Sequence, residues 1–396
     1  MLKVGIVGFG GAGMAQFHHF RALGCEVAAV FDPKPAAHQR ARQHSPAIFV
    51  TDDFEAFLKR DIDIVSICSP DRTHAGYFAR SLRRGKHTVS EKPLTDSLAG
   101  CREVLQAAAE TPQCVAAVQH QMRFLPVHLE MKKLVAQGAL GRIAYLEGYY
   151  IHNLTTRASL YDQWRFEDNA TPLVYSGCHF VDLLRWLLND EVAEVSGMAN
   201  NLAFSDYPES DTNVTLLRFR SGILGKVVTA FGFGRPQDHS VRIYGNERCI
   251  ENNVLFAKDG SFTVFARPAM PPDGTRPSRR LFLSPSRFKP TFRFWRTTLK
   301  TMLLSRLFER LMHTGHLMPE YRVSNYPLRL YEHDHAVRHS LADFVNAIKD
   351  GRPPLCGVLD AAKTVATCLA GVEAYRTGKT VPIEQYWLPE FGPLSR

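Results

Sequence analysis

No two cysteines of this 396-residue chain form a CxxC pair: Cys25, Cys68, Cys101, Cys114, Cys178, Cys249, Cys356 and Cys368 lie scattered. That usage argues against a disulfide frame and a zinc site, and for reduced thiols in a cytoplasm. No apolar run reaches the roughly 18–20 residues a membrane span requires. The opening MLKVGIVGFGG lacks a basic n-region, a long apolar core and a cleavage site, so no secretory leader is expected. Internal repeats and low-complexity tracts are absent. A general basic coat is absent too. Eleven Lys/Arg between Arg267 and Arg310, against Asp273 and Glu309, carry the whole net charge of +9. The basic character is therefore local, no nucleic-acid motif accompanies it, and nucleic acid is not an expected partner.

What is present is enough for two domains with full cores. The composition, 45% hydrophobic and 22% charged, is that of an ordinary globular protein. Over the first 120 residues, LKVGIVG, EVAAVF, DIVSIC, HTVS and CVAAVQ read as valine- and isoleucine-rich strands. Helical patterns alternate with them at 13–24, 35–44, 53–60, 74–84 and 96–110. Apolar strands separated by helices predict a parallel sheet covered on both faces, with ligands beyond the carboxyl ends of its strands. After residue 123 the pattern changes. A helix at about 126–137 ends in QGALG, and RIAYLEGYYI, TNVTLLRFRSG, ILGKVVTAFGFG and SVRIYGN follow as β-rich runs. The fold class expected is α/β: a doubly wound Rossmann domain over 1–122, then an α+β domain over 123–396 with a large open, mostly antiparallel sheet. Helix returns from about 335, with AAKTVATCLAGVEAYRTG its clearest stretch, and residues 266–330 read as an insertion.

Gly8-Phe9-Gly10-Gly11-Ala12-Gly13 is a GxGxxG turn placed after the first strand and opening a helix. Such glycines permit a tight turn and close backbone approach to a pyrophosphate, and the helix N-terminus offers free N–H groups. Asp32 closes the second strand, 19 positions after Gly13. A carboxylate there accepts ribose hydroxyls and repels a 2′-phosphate, which favours NAD over NADP. Lys34 leaves NADP tolerance open, and a turn or cap role before Pro33 is the competing use of Asp32.

CSPDRTH (68–74) followed by GKHTVSEKPLT (85–95) resembles the Gfo/Idh/MocA family of nicotinamide-dependent sugar and inositol oxidoreductases. The similarity runs on through MRFLP (122–126), WR (164–165), GCHFVDLLRWLL (177–188) and FVNAIKDGRPP (344–354). It spans roughly three-quarters of the chain and skips the insertion. The resemblance implies that Ser69, Pro70, His74, Glu91, Lys92, Gln119, Trp164 and Arg165 lie along the cofactor. It also implies that Lys92 stands beside the nicotinamide and the reacting carbon, with Glu91 fixing the loop or the cofactor ribose.

The chemistry asks for such a lysine independently. Hydride transfer from a secondary alcohol needs a group that takes the hydroxyl proton, and desolvation beside a cationic ring eases release of a proton from an ammonium. Pro93 restrains the lysine's backbone, and related proteins suggest a cis bond there. His179 and Asp182, at i and i+3 of a helix start, share a face, so the carboxylate can orient the imidazole or its helix. Imidazole titrates near neutrality and suits a proton relay to Lys92. Members of the family often carry aspartate four residues before that histidine, where this chain has Tyr175, and a glycine-rich run where it reads NATP (169–172). Tyr175 either donates a proton in place of the carboxylate or fills the pocket wall. Arg123, Trp164 and Arg165 are read as cofactor or substrate contacts, since arginine suits bidentate recognition of phosphate or carboxylate; a structural ion pair is the less favoured use of either arginine.

In the insertion, Leu299, Leu303, Leu307 and Leu311 recur every four residues beside Lys300, Arg306 and Arg310. This reads as an amphipathic helix packed on its own domain, a lid over an acidic substrate such as a nucleotide sugar, a subunit contact, or, least favoured, a membrane-surface helix. The reading as a whole is a cytoplasmic NAD(P)-dependent oxidoreductase of a sugar, sugar derivative or cyclic polyol, with no metal, assembling as a homo-oligomer through the C-terminal sheet. Two rivals remain: a redox-assisted glycosidase or lyase with tightly held NAD, and a non-enzymatic cofactor-binding regulator.

Overall fold

The computed structural model describes residues 1–155, 171–234, 237–265 and 326–392. A six-stranded sheet contains β1 (Lys3–Val7), β2 (Glu26–Phe31), β3 (Phe49–Thr51), β4 (Ile64–Ile67), β5 (His87–Ser90) and β6 (Ala116–Val118). Its order is β3-β2-β1-β4-β5-β6 with every pairing parallel. The strand order therefore reverses beside β1, and a crevice opens there at the carboxyl ends. The strands are largely buried and mostly apolar, as suits a sheet covered by helices α1 (Gly11–Ala22), α2 (Pro35–His44), α3 (Phe54–Leu58), α4 (His74–Arg83) and α5 (Leu98–Glu110). Local chemistry starts two of them: the Asp53 side chain accepts from Glu55 N and Ala56 N ahead of α3, and Ser97 accepts from Gly100 N ahead of α5. Strand β3, absent from the sequence reading, is a three-residue, half-buried edge strand, too short to show a period.

The second sheet has ten strands: β7 (Ile143–His152), β8 (Val192–Asn200), β9 (Thr212–Phe219), β10 (Leu224–Ala230), β11 (Gln237–Asp238), β12 (Val241–Gly245), β13 (Arg248–Glu251), β14 (Val254–Ala257), β15 (Phe262–Val264) and β16 (Val381–Pro382). Only β7 and β10 pair in parallel; the other pairings are antiparallel. One face is covered by α6 (Pro126–Ala136) and α7 (Cys178–Leu188), whose Phe180, Leu183, Leu184 and Leu187 pack on Leu146, Val195, Leu217 and Val227. Among the described residues no helix covers the opposite face. The architecture is the one the sequence predicts, a Rossmann domain followed by an α+β domain on an open, mostly antiparallel sheet.

The last two helices cross the division at residue 122. From α8 (Tyr326–Asp350), Val337, Leu341, Phe344 and Val345 pack into the first sheet's core with Val4, Ile6 and Phe17. Helix α9 (Val358–Thr377) serves both cores. Val358, Ala361, Ala362, Val365 and Ala366 enter the first, while Cys368, Ala370, Val372 and Ala374 enter the second. Small side chains let one helix lie close to both. Of the segment read as an insertion, residues 266–325, including the leucine series, lie outside the described residues. Residues 326–330 belong to α8. Among the described residues no helix is long and apolar enough to cross a membrane.

Two imidazoles near the junction are buried, and burial pushes both His120 and His128 down to about 4, against a backbone bond from Met122 at His128 and the Asp182 charge at His120. In the unfolded chain each takes up a proton near pH 6.5. Between those values the unfolded chain binds more protons, so stability rises with pH. The expected result is a loss of up to about 3 kcal/mol per ring as pH falls from about 6.5 to 4, read from urea midpoints across that range.

Candidate active site

The dinucleotide end forms where β1 runs into α1. Gly8 sits at φ +85°, and a Cβ there would meet the Cys68 carbonyl at 2.9 Å; a Cβ on Gly13 would meet Gly8 O at 2.1 Å. Both positions require glycine. At Gly10 and Gly11 an added Cβ would meet nothing within 4 Å, so the loop presents bare backbone and the first N–H groups of α1 to open space. Ala12 is exposed beside them, whereas the Phe9 ring is fully buried against Phe17, leaving only its backbone to the loop. Asp32 accepts from Phe9 N and from Lys34 N, each at 2.8 Å. The turn role is thus real, and it leaves lone pairs on both oxygens for ribose hydroxyls. Asp32→Ala is expected to raise the NAD⁺ dissociation constant about 10-fold or more and to relax discrimination against NADP⁺, measured by titration of each.

The lysine loop leaves β5, and the Lys92–Pro93 bond is cis. His74 is fully buried, with Nδ1 2.8 Å from Pro93 O and Nε2 2.9 Å from Ser69 O. The two ring nitrogens each face a backbone carbonyl, so His74 links the half-buried Ser69–Pro70 turn to the lysine loop. Lys92 Nζ crosses to the second domain and donates to the carbonyl oxygen of Tyr175 at 2.5 Å. Tyr175 lies in a π-helical turn, Leu173–Gly177, that leads directly into α7. Such turns are rare and concentrate at functional sites. The Tyr175 ring faces away, stacked on Phe231 at 5.5 Å with its hydroxyl 3.3 Å from that of Tyr207. Tyr175 lines the cleft together with Phe231, and the group of Tyr175 that Lys92 meets is its main-chain carbonyl.

His179, 5% exposed, opens α7 with its ring parallel to Tyr150 (5.6 Å, 9°), and Tyr150 also stacks with His239 at 4.5 Å. The cleft is lined by Lys92, Tyr150, His152, Leu154, Tyr175, Ser176 and Phe231. Sequence reasoning missed Tyr150 and His152. Their signal was the two-residue period of β7, since Gly148, Tyr150 and His152 share the face that meets α7, and a Cβ on Gly148 would sit 2.4 Å from Phe180.

Residues 2–120 match the model described as "Oxidoreductase family, NAD-binding Rossmann fold", and residues 128–251 match "GFO/IDH/MocA C-terminal domain". An inositol 2-dehydrogenase of Rubrobacter xylanophilus is 30% identical over 257 residues, 63% of this chain and 71% of that protein. The chain belongs to the Gfo/Idh/MocA oxidoreductase family. A scyllo-inositol 2-dehydrogenase (NAD(+)) of Bacillus subtilis is 27% identical over 64% of this chain and 78% of its own. The scyllo-inositol dehydrogenase of Lactobacillus casei, solved with NAD(H) and scyllo-inositol, shares the fold at a TM-score of 0.72 with 19% identity, covering 97% of this chain and 99% of that one. This Gfo/Idh/MocA protein is an NAD-dependent oxidoreductase acting on CH–OH groups. Its own residues fit the cofactor: beyond the bare glycine loop, Gln119 Nε2 and Ser90 Oγ are buried without partners among the described residues.

Two expected site residues move to a different task. Arg123 is 1% exposed and Asp182 fully buried. Arg123 Nε and Nη2 grip Asp182 at 2.8 and 2.6 Å, Nη1 donates to Leu355 O at 3.1 Å, and Nη2 also meets Asp360. Four of the five guanidinium N–H groups are thus engaged inside the protein, and the Asp182 carboxylate pairs with this guanidinium. Arg185 extends the network to Asp360 and Glu191. Burial alone would raise the Asp360 carboxyl, but the Arg185 and Arg123 guanidiniums outweigh it and hold it well below the usual carboxylate range. These bonds lock α7, and with it His179, onto α9. His120, Asp182 and Cys356 bring ligand-type atoms within 4.8 Å of one another. The Asp182 charge there is already matched by Arg123, which disfavours a cation. Trp164 and Arg165 lie outside the described residues.

Proposed function

We propose that the enzyme moves a hydride between NAD and a hydroxyl-bearing ring carbon of a cyclic polyol, sugar or sugar derivative, with Lys92 as acid/base and His179 as relay. The observation that carries this is the Lys92 ammonium held by the Tyr175 carbonyl at the carboxyl edge of the Rossmann sheet, with the His179 imidazole on the helix that follows. NAD supplies the hydride acceptor at C4 of its nicotinamide. As the neutral amine, Lys92 Nζ takes the hydroxyl proton while the carbonyl forms, becoming the ammonium held by the Tyr175 carbonyl; the His179 imidazole passes that proton towards solvent and restores the amine, and in reduction the ammonium gives it to the forming alkoxide. Tyr150 holds the plane of that imidazole, while Leu154, Tyr175 and Phe231 offer apolar surface to the ring's C–H face. The names of the inositol dehydrogenases that match over more than half the chain support the substrate class.

Oxidised NAD screened against inositols, other polyols and nucleotide sugars is expected to yield NADH with at least one cyclic polyol. Turnover without NADH accumulation would select the redox-assisted lyase or glycosidase, and no turnover on the panel would reject the reading. His179→Gln is expected to lower kcat about 10- to 100-fold, read from steady-state turnover at saturating NAD.

The reading includes a homo-oligomer formed through the open sheet face. Met198, Leu216, Leu224 and Tyr244 are 81%, 47%, 44% and 40% exposed on it. Beside them Glu147 is ringed by Lys226, Arg242 and Tyr145. Burial would raise its carboxyl, yet these partners bring it down to about 2. A sheet face that sets exposed apolar side chains around an internally paired charge cluster suits a second copy of itself. Leu216→Arg is expected to yield monomers in light scattering without loss of the fold; an unchanged mass would reject this contact.

A further inference from the structure

The cofactor loop and the lysine loop are joined beneath the surface by one side-chain amide. Gln16 lies on α1, three residues past the last glycine of the loop, and is 1% exposed. Its Nε2 donates to Glu91 Oε1 at 2.9 Å and to Gln119 Oε1 at 2.5 Å, while its Oε1 accepts from Ser66 Oγ. An amide has two N–H donors, so both are spent and the group is oriented from three sides. The partners stand on or just after β4, β5 and β6, the edge where an open α/β sheet receives its ligand. Because Gln119 gives its oxygen to Gln16, its Nε2 is the group left over, and that nitrogen is buried without a partner among the described residues. Glu91, half-buried and next to Lys92, has one oxygen fixed and the other available.

We propose that Gln16 is a positioning residue that holds the Glu91 carboxylate at the nicotinamide end of the dinucleotide, where its fixed charge favours the oxidised, cationic ring over the reduced, neutral one. In a water-poor cleft a preoriented charge acts more strongly than a mobile one. A residue that only fills the core would, when changed, weaken both cofactor forms alike; one that aims a carboxylate separates them. The inference rests on the placement of Glu91 and Lys92 by the nicotinamide. It is read from cofactor binding without substrate. Failure of the polyol reaction therefore shows as absent turnover, and failure here as an unchanged NAD⁺/NADH preference.

The test is a fluorescence titration of NADH, with NAD⁺ by competition, on the full-length protein. Gln16→Met keeps the length and removes the donors. It is expected to raise the NAD⁺ dissociation constant about 10-fold and that of NADH less than about threefold, the size of one lost charge-assisted bond. Ser66→Ala, which frees only the amide oxygen, is expected to shift the ratio in the same direction by less, and decides the matter if Gln16→Met does not fold. In a Glu91→Gln background, Gln16→Met is expected to add no further change in the ratio, because the two act as a unit. Equal weakening of both forms, or a ratio unmoved in the folded variants, would overturn the proposal.

Discussion

Lys92→Met is expected to bind NAD with unchanged affinity and to turn over at least about 100-fold more slowly, the scale of a lost acid–base group. Methionine follows the same unbranched path, so the part of the cleft wall that Lys92 forms stays filled while the ammonium disappears. The cofactor loop is untouched: Gly8 and Gly13 are fixed by their own close contacts, and Asp32 braces Phe9 N from the end of β2. Binding and chemistry therefore separate in this variant. The freed Tyr175 carbonyl lies in a turn beside the cleft and can take water, so stability is expected to change little. The measurement is a single-turnover rate with saturating cofactor beside an NADH titration. Near-normal turnover would remove Lys92 from the mechanism. A loss confined to cofactor affinity would assign it to binding instead.

The parts legible in the sequence were those written in local periods. Alternating valine-rich strands and helices gave the parallel sheet, and the glycine spacing gave the loop, since the close contacts at Gly8 and Gly13 demand that residue type. The EKP stretch was visible because a proline after a lysine at a strand end is a local oddity. What stayed hidden depends on partners far apart in the chain. Arg123 and Asp182 are 59 positions apart and Arg123 and Asp360 are 237; nothing local says that these charges meet. Gln16 reads as a polar helix residue until β4, β5 and β6 place Ser66, Glu91 and Gln119 around it. The Tyr175 substitution suggested an exchange of one side chain for another, yet the group facing Lys92 is a carbonyl exposed by a π-turn, which no side-chain pattern encodes. Helix α9 looked like one more apolar helix because its alanines give no hint that its two halves belong to different cores.

Arg123→Met is expected to have the largest effect on stability, about 3–5 kcal/mol, because it strands Asp182 without its partner inside the protein. Asp182 is fully buried and draws two of its hydrogen bonds from this guanidinium; among its other neighbours are the Thr364 hydroxyl at 3.3 Å, His120 at 3.7 Å and the Cys356 thiol. None of these supplies a compensating full charge while the imidazole is held neutral by burial. The loss should be visible as a lower midpoint in chemical denaturation, and it should shrink as pH falls, since protonating the stranded carboxylate removes the buried charge. Wild type moves the other way, because Asp360, held below its usual range by Arg185 and Arg123, withdraws its contribution as acid approaches. The two stability curves are therefore expected to converge towards low pH. Replacing both partners, Arg123→Met with Asp182→Leu, should recover part of the loss, since an apolar pair leaves no charge unanswered. Recovery of stability without recovery of kcat would show that the ion pair's further task is to set the angle of α7, and through it the His179 ring against Tyr150. Loss confined to stability would make the pair a fastening between the two domains and nothing more.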